Sequence, residues 1–359
     1  MTDIQNPTKP KKKRLYSLDY LRGIAASGIM IYHLITWSFG KFTSETFLGR
    51  FGIYGVGIFY ILSGLTLCYV YYDKFEPTKK FLIDFFKKRI LRIFPLLWLV
   101  TIVSIILSRK IPDFLDLALN LTGLFGFVKW DTYFSSGIWS IGNELVFYVF
   151  FPVFLLLAKY KLRSFILLTA IIIAIYVYFA FYVLDPSISL LYQWDIYTNP
   201  LNQVFLFLSG FLIGYLLREK VLNKYFRIIL FFGGLLLFIH IPSSGDTINI
   251  ITGINRLAFS VCCIAICISL YKSDLKLPTF IHIPLIFLGD ISYSVYLIHP
   301  IVYSLVSYIA STQTQVESNE NFKLILIVTS IVLTIITSYI VYEKYEKLFL
   351  KFGRGNKNK

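Results

Sequence analysis

The sequence predicts an all-α polytopic membrane protein with about ten transmembrane helices and both termini in the cytoplasm. Of its 359 residues, 57% are hydrophobic and only 15% are charged, whereas soluble proteins carry about 25% charged residues. The apolar residues form long runs, and the basic residues concentrate between those runs on one side. These observations exclude a cytosolic enzyme, a disordered chain and a secreted domain held together by disulfides.

Ten apolar runs are long enough to cross a membrane, because about 20 apolar residues span its hydrocarbon core. The predicted helices are 18–38, 51–72, 90–108, 138–158, 163–184, 201–217, 225–241, 254–271, 285–309 and 322–342. A further stretch, 113–128, is short and amphipathic, and we expect it to lie in the interface or to re-enter the membrane. We expect one membrane domain over 1–359, with a helical core at about 15–345 and basic tails at 1–14 and 346–359.

The distribution of lysine and arginine predicts the orientation of these helices. If the N-terminus is cytoplasmic and the helices alternate, 26 of the 35 basic residues fall in cytoplasmic segments and six on the opposite side. This asymmetry follows the positive-inside rule. A full span at 113–128 would invert every later loop, so we reject that topology. The expected location is the inner membrane of a cell, crossed many times.

The net charge of +15 is therefore explained by membrane topology. We expect no nucleic-acid partner. The expected partner of the basic tails is the lipid bilayer, whose anionic headgroups attract lysine and arginine.

Ionisable residues inside membrane helices are costly and usually functional. Arg22 and His33 are 11 residues apart in the first helix, which corresponds to about 16 Å of helical rise. Arg22 is therefore expected near the cytoplasmic face, at the level of Arg89 and Arg92, and His33 near the midplane. Three arginines at one level predict a site for a multiply charged anion such as a phosphorylated donor.

Glu144 enters the fourth helix from the opposite side and is expected in the outer half of the membrane. A carboxylate there could orient either His33 or an acceptor molecule. A neutral imidazole can accept a proton from a hydroxyl at neutral pH, so this arrangement predicts a transferase that works across the membrane. Each residue also has a structural interpretation: His33 and His299 could hydrogen-bond neighbouring helices, and the arginines could be ordinary positive-inside residues.

Five segments, in this order, resemble the acyltransferase 3 family of integral membrane acyltransferases. They are Leu18-Asp19-Tyr20-Leu21-Arg22-Gly23 followed by His33, Phe59-Tyr60-Ile61-Leu62-Ser63-Gly64, Lys88-Arg89-Ile90-Leu91-Arg92-Ile93-Phe94-Pro95, Trp139-Ser140-Ile141-Gly142-Asn143-Glu144 with Phe147-Tyr148, and Ile291-Ser292-Tyr293-Ser294-Val295-Tyr296-Leu297-Ile298-His299. The ordered set covers nearly the whole chain, from about residue 15 to 345.

The resemblance implies a ten-helix enzyme that transfers an acyl group, usually acetyl, from a cytoplasmic acyl-CoA to a hydroxyl. The acceptor is expected to be a cell-surface glycan, a lipid-linked sugar or a small metabolite. His33 and Glu144 are then the expected catalytic residues. Arg22, Arg89 and Arg92 are expected to bind the donor, and Asp19, Tyr293 and His299 to support the site.

Two questions stay open at the level of the sequence. His33 could be a general base or a transient acyl carrier, and the buried polar groups could instead line the path of a transporter or flippase for an anionic or sugar substrate. A catalytically silent sensor or scaffold is a third possibility. We expect no permanently bound cofactor and no metal, with acetyl-CoA or another acyl-CoA as a donor substrate.

Overall fold

The computed structural model describes residues 13–273, 275, 277–313 and 320–354, and all regular secondary structure in those ranges is helical. Most of the predicted N-terminal tail and the end of the C-terminal tail lie outside the described residues. The α-helices are α1 (Tyr16–Phe39), α2 (Phe47–Tyr71), α3 (Lys79–Ser108), α4 (Phe114–Thr122), α5 (Phe125–Val128), α6 (Ile138–Tyr160), α7 (Leu162–Tyr178), α8 (Trp194–Thr198), α9 (Pro200–Leu216), α10 (Lys224–His240), α11 (Gly253–Leu270), α12 (Thr279–Asp290), α13 (Ser292–Gln313), α14 (Glu320–Val341) and α15 (Lys347–Arg354).

Seven helical segments in the described part of the chain are long and apolar enough to cross a membrane. They correspond to α2, α3, α6, α7, α11, α13 and α14 with their helical extensions, and the shorter apolar helices are α9 and α12. The multi-pass helical fold is thus confirmed, while the count of ten spans and the cytoplasmic termini stay predictions. The α2 segment is mostly buried, whereas α7 and α14 expose most of their apolar side chains, as helices facing lipid do.

Helix α2 packs most extensively against α9, and glycines make this close approach possible. A methyl group on Gly64 would overlap the carbonyl oxygen of Phe207, and one on Gly210 would overlap that of Ile61. Small residues at such crossings let helix backbones approach closely in membranes. The Gly64 contact fixes the position of the neighbouring Ser63, which faces a cavity described below.

The predicted helix 285–309 is wrong as a single helix, because the chain breaks between α12 and α13 at Ile291. Gly289 packs against α1, where an added methyl group would lie 2.5 Å from the carbonyl oxygen of Asp19. The hydroxyl of Ser292 donates to the carbonyl of Gly289 (2.8 Å) across the break. Because of this break, α12 can pack against α1 without fixing the direction of α13.

The stretch 113–128 forms two short helices, α4 and α5, separated by Gly123 with φ +73°. Asp113 caps α4 by accepting hydrogen bonds from the amides of Leu115 (2.9 Å) and Asp116 (3.2 Å). Neither helix is long enough to span a bilayer. This agrees with the expectation that the stretch does not cross the membrane.

Arg50 ties α2 to the end of α10 and the loop that follows it. Its side chain is only 3% exposed, and its guanidinium donates to the carbonyls of Phe238 (2.8 Å) and Ile241 (2.8 Å). A buried cation is tolerated when carbonyl oxygens satisfy its donors. The loop after α10 is thereby held against α2, and Asp246 on that loop faces a second cavity.

Candidate active site

A cavity of about 270 Å³ lies among α1, α2, α3, α6 and α13. We call it the arginine cavity, because the three predicted donor-binding residues Arg22, Arg89 and Arg92 all line it. Glu144 is the single carboxylate among its lining residues. With one negative group against three guanidinium groups, the cavity favours an anion.

Arg22 is positioned by a chain of ion pairs at the start of α1. Its Nη1 donates to Oδ1 of Asp19 (3.1 Å), and the Nε of Arg14 donates to Oδ2 of the same carboxylate (2.7 Å). Arg14 also contacts Asp290, at the end of α12, through its Nη2 (2.6 Å). The other end of the Arg22 guanidinium donates to the hydroxyl of Thr66 (3.3 Å). Asp19 thus lies between Arg14 and Arg22 and accepts a hydrogen bond from each.

Arg89 and Arg92 lie on α3 and make no ion pair with a carboxylate in the described part of the chain. The guanidinium of Arg89 lies over the ring of Tyr148, 5.7 Å from its centroid. The hydroxyl of Tyr293 donates to the carbonyl of Ile93 (3.0 Å), which holds α3 against α13. Arginines that lack a carboxylate partner remain available for phosphate.

Glu144 lines the arginine cavity, and His33 is not among the residues that line it. One of its carboxylate oxygens accepts hydrogen bonds from the hydroxyls of Ser63 (2.7 Å) and Tyr148. Glu144 is the seventh residue of α6, counting from Ile138, about 9 Å of rise from the helix start. Its side chain therefore reaches the arginine cavity from the N-terminal part of α6.

A second cavity, of about 700 Å³, lies among α1, α2, α13, the starts of α6 and α8, and the segments at 133–136, 189–191 and 245–247. We call it the outer cavity. His33 lines it, together with the indole rings of Trp37, Trp139 and Trp194. Flat aromatic faces beside polar groups suit a ligand with both apolar and hydroxyl surfaces.

The imidazoles of His33 and His299 are hydrogen-bonded, with 2.9 Å between Nδ1 of His33 and Nε2 of His299. Nδ1 of His299 lies 3.0 Å from the carbonyl oxygen of Val295. A carbonyl only accepts hydrogen bonds, so Nδ1 of a neutral His299 carries the proton and its Nε2 is an acceptor. His33 must then donate from Nδ1, which leaves the lone pair of its Nε2 free to act as a base.

Trp37 completes a stack of rings around this histidine pair. Its indole lies nearly parallel to the ring of His33, at 5.0 Å and 8°, and to that of His299, at 5.9 Å and 17°. His299 is fully buried. The stack restricts rotation of the His33 ring, as catalysis by a positioned base requires.

The rim of the outer cavity carries charges from two loops, Lys41 and Asp246. Burial alone would raise the pKa of Asp246, but hydrogen bonds from the Ser189 hydroxyl and from the amides of Ile248 and Leu190 lower it below its ordinary value. The carboxylate is therefore ionised at neutral pH. An ionised acceptor and a lysine at the mouth of a cavity can bind sugar hydroxyls.

The structure brings the sequence-predicted residues together in two groups. Arg22, Arg89, Arg92, Glu144 and Tyr293 line the arginine cavity, with Asp19 behind Arg22. His33 lines the outer cavity, with His299 behind it.

Sequence reasoning missed several polar or aromatic lining residues: Trp37, Ser63, Tyr148, Asp246 and Tyr296. Trp37 follows His33 by four residues, and Tyr296 precedes His299 by three. Helical spacing could therefore have identified these two as neighbours of the histidines.

Comparison with known proteins gives a consistent result. A family model described as an acyltransferase domain matches residues 15–343. The peptidoglycan O-acetyltransferase OatA of Listeria monocytogenes is 27% identical over 175 residues, which cover 43% of this chain and 26% of that protein. Putative O-acetyltransferases of Staphylococcus aureus strains COL and N315 are each 29% identical over 174 residues, covering 43% of this chain and 27% of theirs. The chain thus aligns with about a quarter of the length of these relatives. No solved structure matches it.

Proposed function

The chain belongs to the acyltransferase 3 family, and from this membership we propose that it is a membrane O-acyltransferase. The donor is an acyl-CoA, most simply acetyl-CoA, and the acceptor is a hydroxyl of a cell-surface glycan, a lipid-linked sugar or a small metabolite. The observation that carries the proposal is the pairing of two adjacent cavities. One is lined by three arginines and the other by an oriented histidine.

The donor binds with its phosphate groups against the arginine cavity. Guanidinium groups recognise phosphate through paired hydrogen bonds, and Arg89 and Arg92 have no carboxylate partner among the described residues. Asp19 holds Arg22 at the same cavity. Glu144 keeps the hydroxyls of Ser63 and Tyr148 in place, so we assign it a positioning role on the donor side.

His33 acts as the general base. Its free Nε2 accepts the proton of the acceptor hydroxyl while the hydroxyl oxygen attacks the carbonyl carbon of the thioester. The carbon–sulfur bond then breaks, the ester remains on the acceptor, and the departing thiolate takes up the proton that His33 had accepted, which restores the neutral imidazole. His299 holds the reactive tautomer of His33, the task that a carboxylate performs in hydrolase triads.

The acceptor occupies the outer cavity, where the faces of Trp37, Trp139 and Trp194 and the charges of Lys41 and Asp246 suit a sugar ring. For the donor to arrive from the cytoplasm, the arginine cavity must face that side. In the predicted topology, most lysine and arginine residues lie on the cytoplasmic side. This excess supports the orientation, because cytoplasmic loops of membrane proteins are enriched in these residues. The protein then resides in the inner membrane with cytoplasmic termini.

The two cavities also favour a second candidate, a transporter or flippase that moves an anionic or sugar substrate from one cavity to the other. Inside-out vesicles supplied with acetyl-CoA labelled in the acetyl group separate the two functions. An acyltransferase produces alkali-labile label bound to glycan or lipid, and His33→Gln abolishes it at equal protein abundance. Labelled solute in the vesicle lumen, without bound label, contradicts the proposal and identifies a transporter.

A further inference from the structure

The arginine cavity and the outer cavity share part of their walls. Among the described residues, the two that line both cavities are Val56 on α2 and Tyr296 on α13. Both side chains are buried, with exposed fractions of 6% and 5%. Tyr296 is the polar member of the pair. Its phenol ring therefore stands between the arginines and the cavity that holds His33.

The hydroxyl of Tyr296 is held at the start of α6. It lies 2.8 Å from the hydroxyl of Ser140 and donates to the carbonyl of Gly137 (3.3 Å). Gly137 has φ +91°, and a methyl group there would lie 3.2 Å from the Tyr296 ring. The backbone before α6 thus leaves room for this ring. Hydrogen bonds therefore hold the phenol at the start of α6, and the ring of Phe59 on α2 packs against it, with 5.7 Å between the ring centroids.

Tyr296 also belongs to the helix that carries the partner of the base. It precedes His299 by three residues on α13, and their rings are 6.2 Å apart. Side chains at this spacing share a helix face. A movement of α13 therefore displaces Tyr296 and the His33–His299 pair together.

We infer that Tyr296, held by Ser140, is the gate between the two cavities. The inference rests on the proposed function, in which a thioester in one cavity must meet a hydroxyl in the other. The phenol closes the wall while the thioester waits in the arginine cavity, which keeps outer water from it. It swings away from Ser140 when the acyl group passes to the acceptor beside His33.

Thiol labelling tests the gate without any acyl transfer. One reporter variant, Thr36→Cys, lies in the outer cavity, and another, Ser63→Cys, lies in the arginine cavity. A charged, membrane-impermeant methanethiosulfonate is applied to right-side-out vesicles. The unsubstituted chain gives the background rate, because its four cysteines are buried.

With Tyr296 intact, we expect Thr36→Cys to react from the outside and Ser63→Cys to stay near background. Adding Tyr296→Ala should raise the Ser63→Cys rate at least about tenfold, and Tyr296→Phe, which keeps the ring and loses the hydrogen bonds, should raise it less. Tyr296→Leu replaces the alanine variant if that variant does not accumulate.

Reaction of Ser63→Cys in inside-out vesicles shows that the arginine cavity is still formed in each variant. Two results would overturn the gate. One is fast outside labelling of Ser63→Cys with Tyr296 intact. The other is an unchanged outside rate in the alanine or leucine variant while both cavities remain reactive from their own sides. Because no acyl transfer is measured, either result leaves the acyltransferase proposal to its own test.

Discussion

Nδ1 of His33 donates a hydrogen bond to Nε2 of His299 across 2.9 Å, and the two residues are 266 positions apart in the chain. The second ring is fixed in turn by the carbonyl of Val295. A neutral histidine thus orients the base, where many hydrolytic enzymes use a carboxylate. The pair carries no fixed negative charge, which suits a site buried within a membrane.

The first prediction concerns the tautomer of His33. His299→Ala should lower kcat at least about tenfold, because the base loses the acceptor that holds its proton on Nδ1. His299→Gln should restore part of the loss, since its side-chain carbonyl can accept the same hydrogen bond. Both variants are assayed for acetyl transfer in vesicles. Equal loss in the two variants at equal abundance would show that His299 only packs the helices.

The second prediction concerns donor binding. Arg89→Ala and Arg92→Ala should each raise the KM for acetyl-CoA about tenfold or more, because each removes a charge-assisted hydrogen bond worth about 1.5–3 kcal/mol. A truncated donor without phosphate groups, acetyl-pantetheine, should show an unchanged KM.

The matched control for the arginine variants is Arg218→Ala. Arg218 stacks on Tyr72, 4.6 Å from the ring centroid, and does not line the arginine cavity. The KM of the Arg218→Ala variant for acetyl-CoA should stay within about twofold of the native value. A similar increase in KM for both donors would place the two arginines outside the phosphate contacts.

The third prediction separates Glu144 from His33. Glu144→Gln keeps a side-chain oxygen that can accept hydrogen bonds from the hydroxyls of Ser63 and Tyr148. Glu144→Ala leaves both hydroxyls without this acceptor, so it should reduce acyl transfer more than Glu144→Gln does. The pH dependence of kcat should be the same in both variants, because neither touches the histidine pair. A shift of that pH profile in Glu144→Gln would show that the carboxylate acts on His33 after all.

The fourth prediction concerns helix packing. Gly64→Ala should lower the melting temperature in detergent, because the added methyl group overlaps the carbonyl of Phe207 on α9. Overpacking of this kind costs about 1–3 kcal/mol. Gly233→Ala on α10 is the matched control, since nothing lies within 4 Å of its added methyl group. It should be neutral or stabilising by up to about 1 kcal/mol.

The helices and the pairing of Arg89 with Arg92 could be predicted from local sequence, because each depends on spacing along a single run. Arg89 and Arg92 are three residues apart and share a face of α3, so their convergence followed from the sequence. The Asp19–Arg22 ion pair has the same i,i+3 spacing. These contacts depend on helical geometry and little else.

The rest of the site depends on how distant segments meet. The pairing of His33 with His299, and the approach of Asp246 to the outer cavity, are set by helix packing and loop paths that leave no periodic signal. The break at Ile291 was hidden because the residues around it are apolar or small except for Asp290, so the run continues on both sides. That the side chain of Glu144 lines the arginine cavity depends on how α6 packs against α2 and α3, and its position in the sequence does not reveal this.

Helix α2 supplies Gly52 and Ile53 to the outer cavity, Ser63 and Thr66 to the arginine cavity, and Val56 to both. It is also fastened at its start by Arg50 and along its length by α9. Helix α2 therefore forms one side of both cavities, and with them of the proposed route from donor to acceptor. A motion that opens this route must therefore come from the opposite side, where α13 carries Tyr296 and His299. Helix α13 would then move relative to α2, which stays in place.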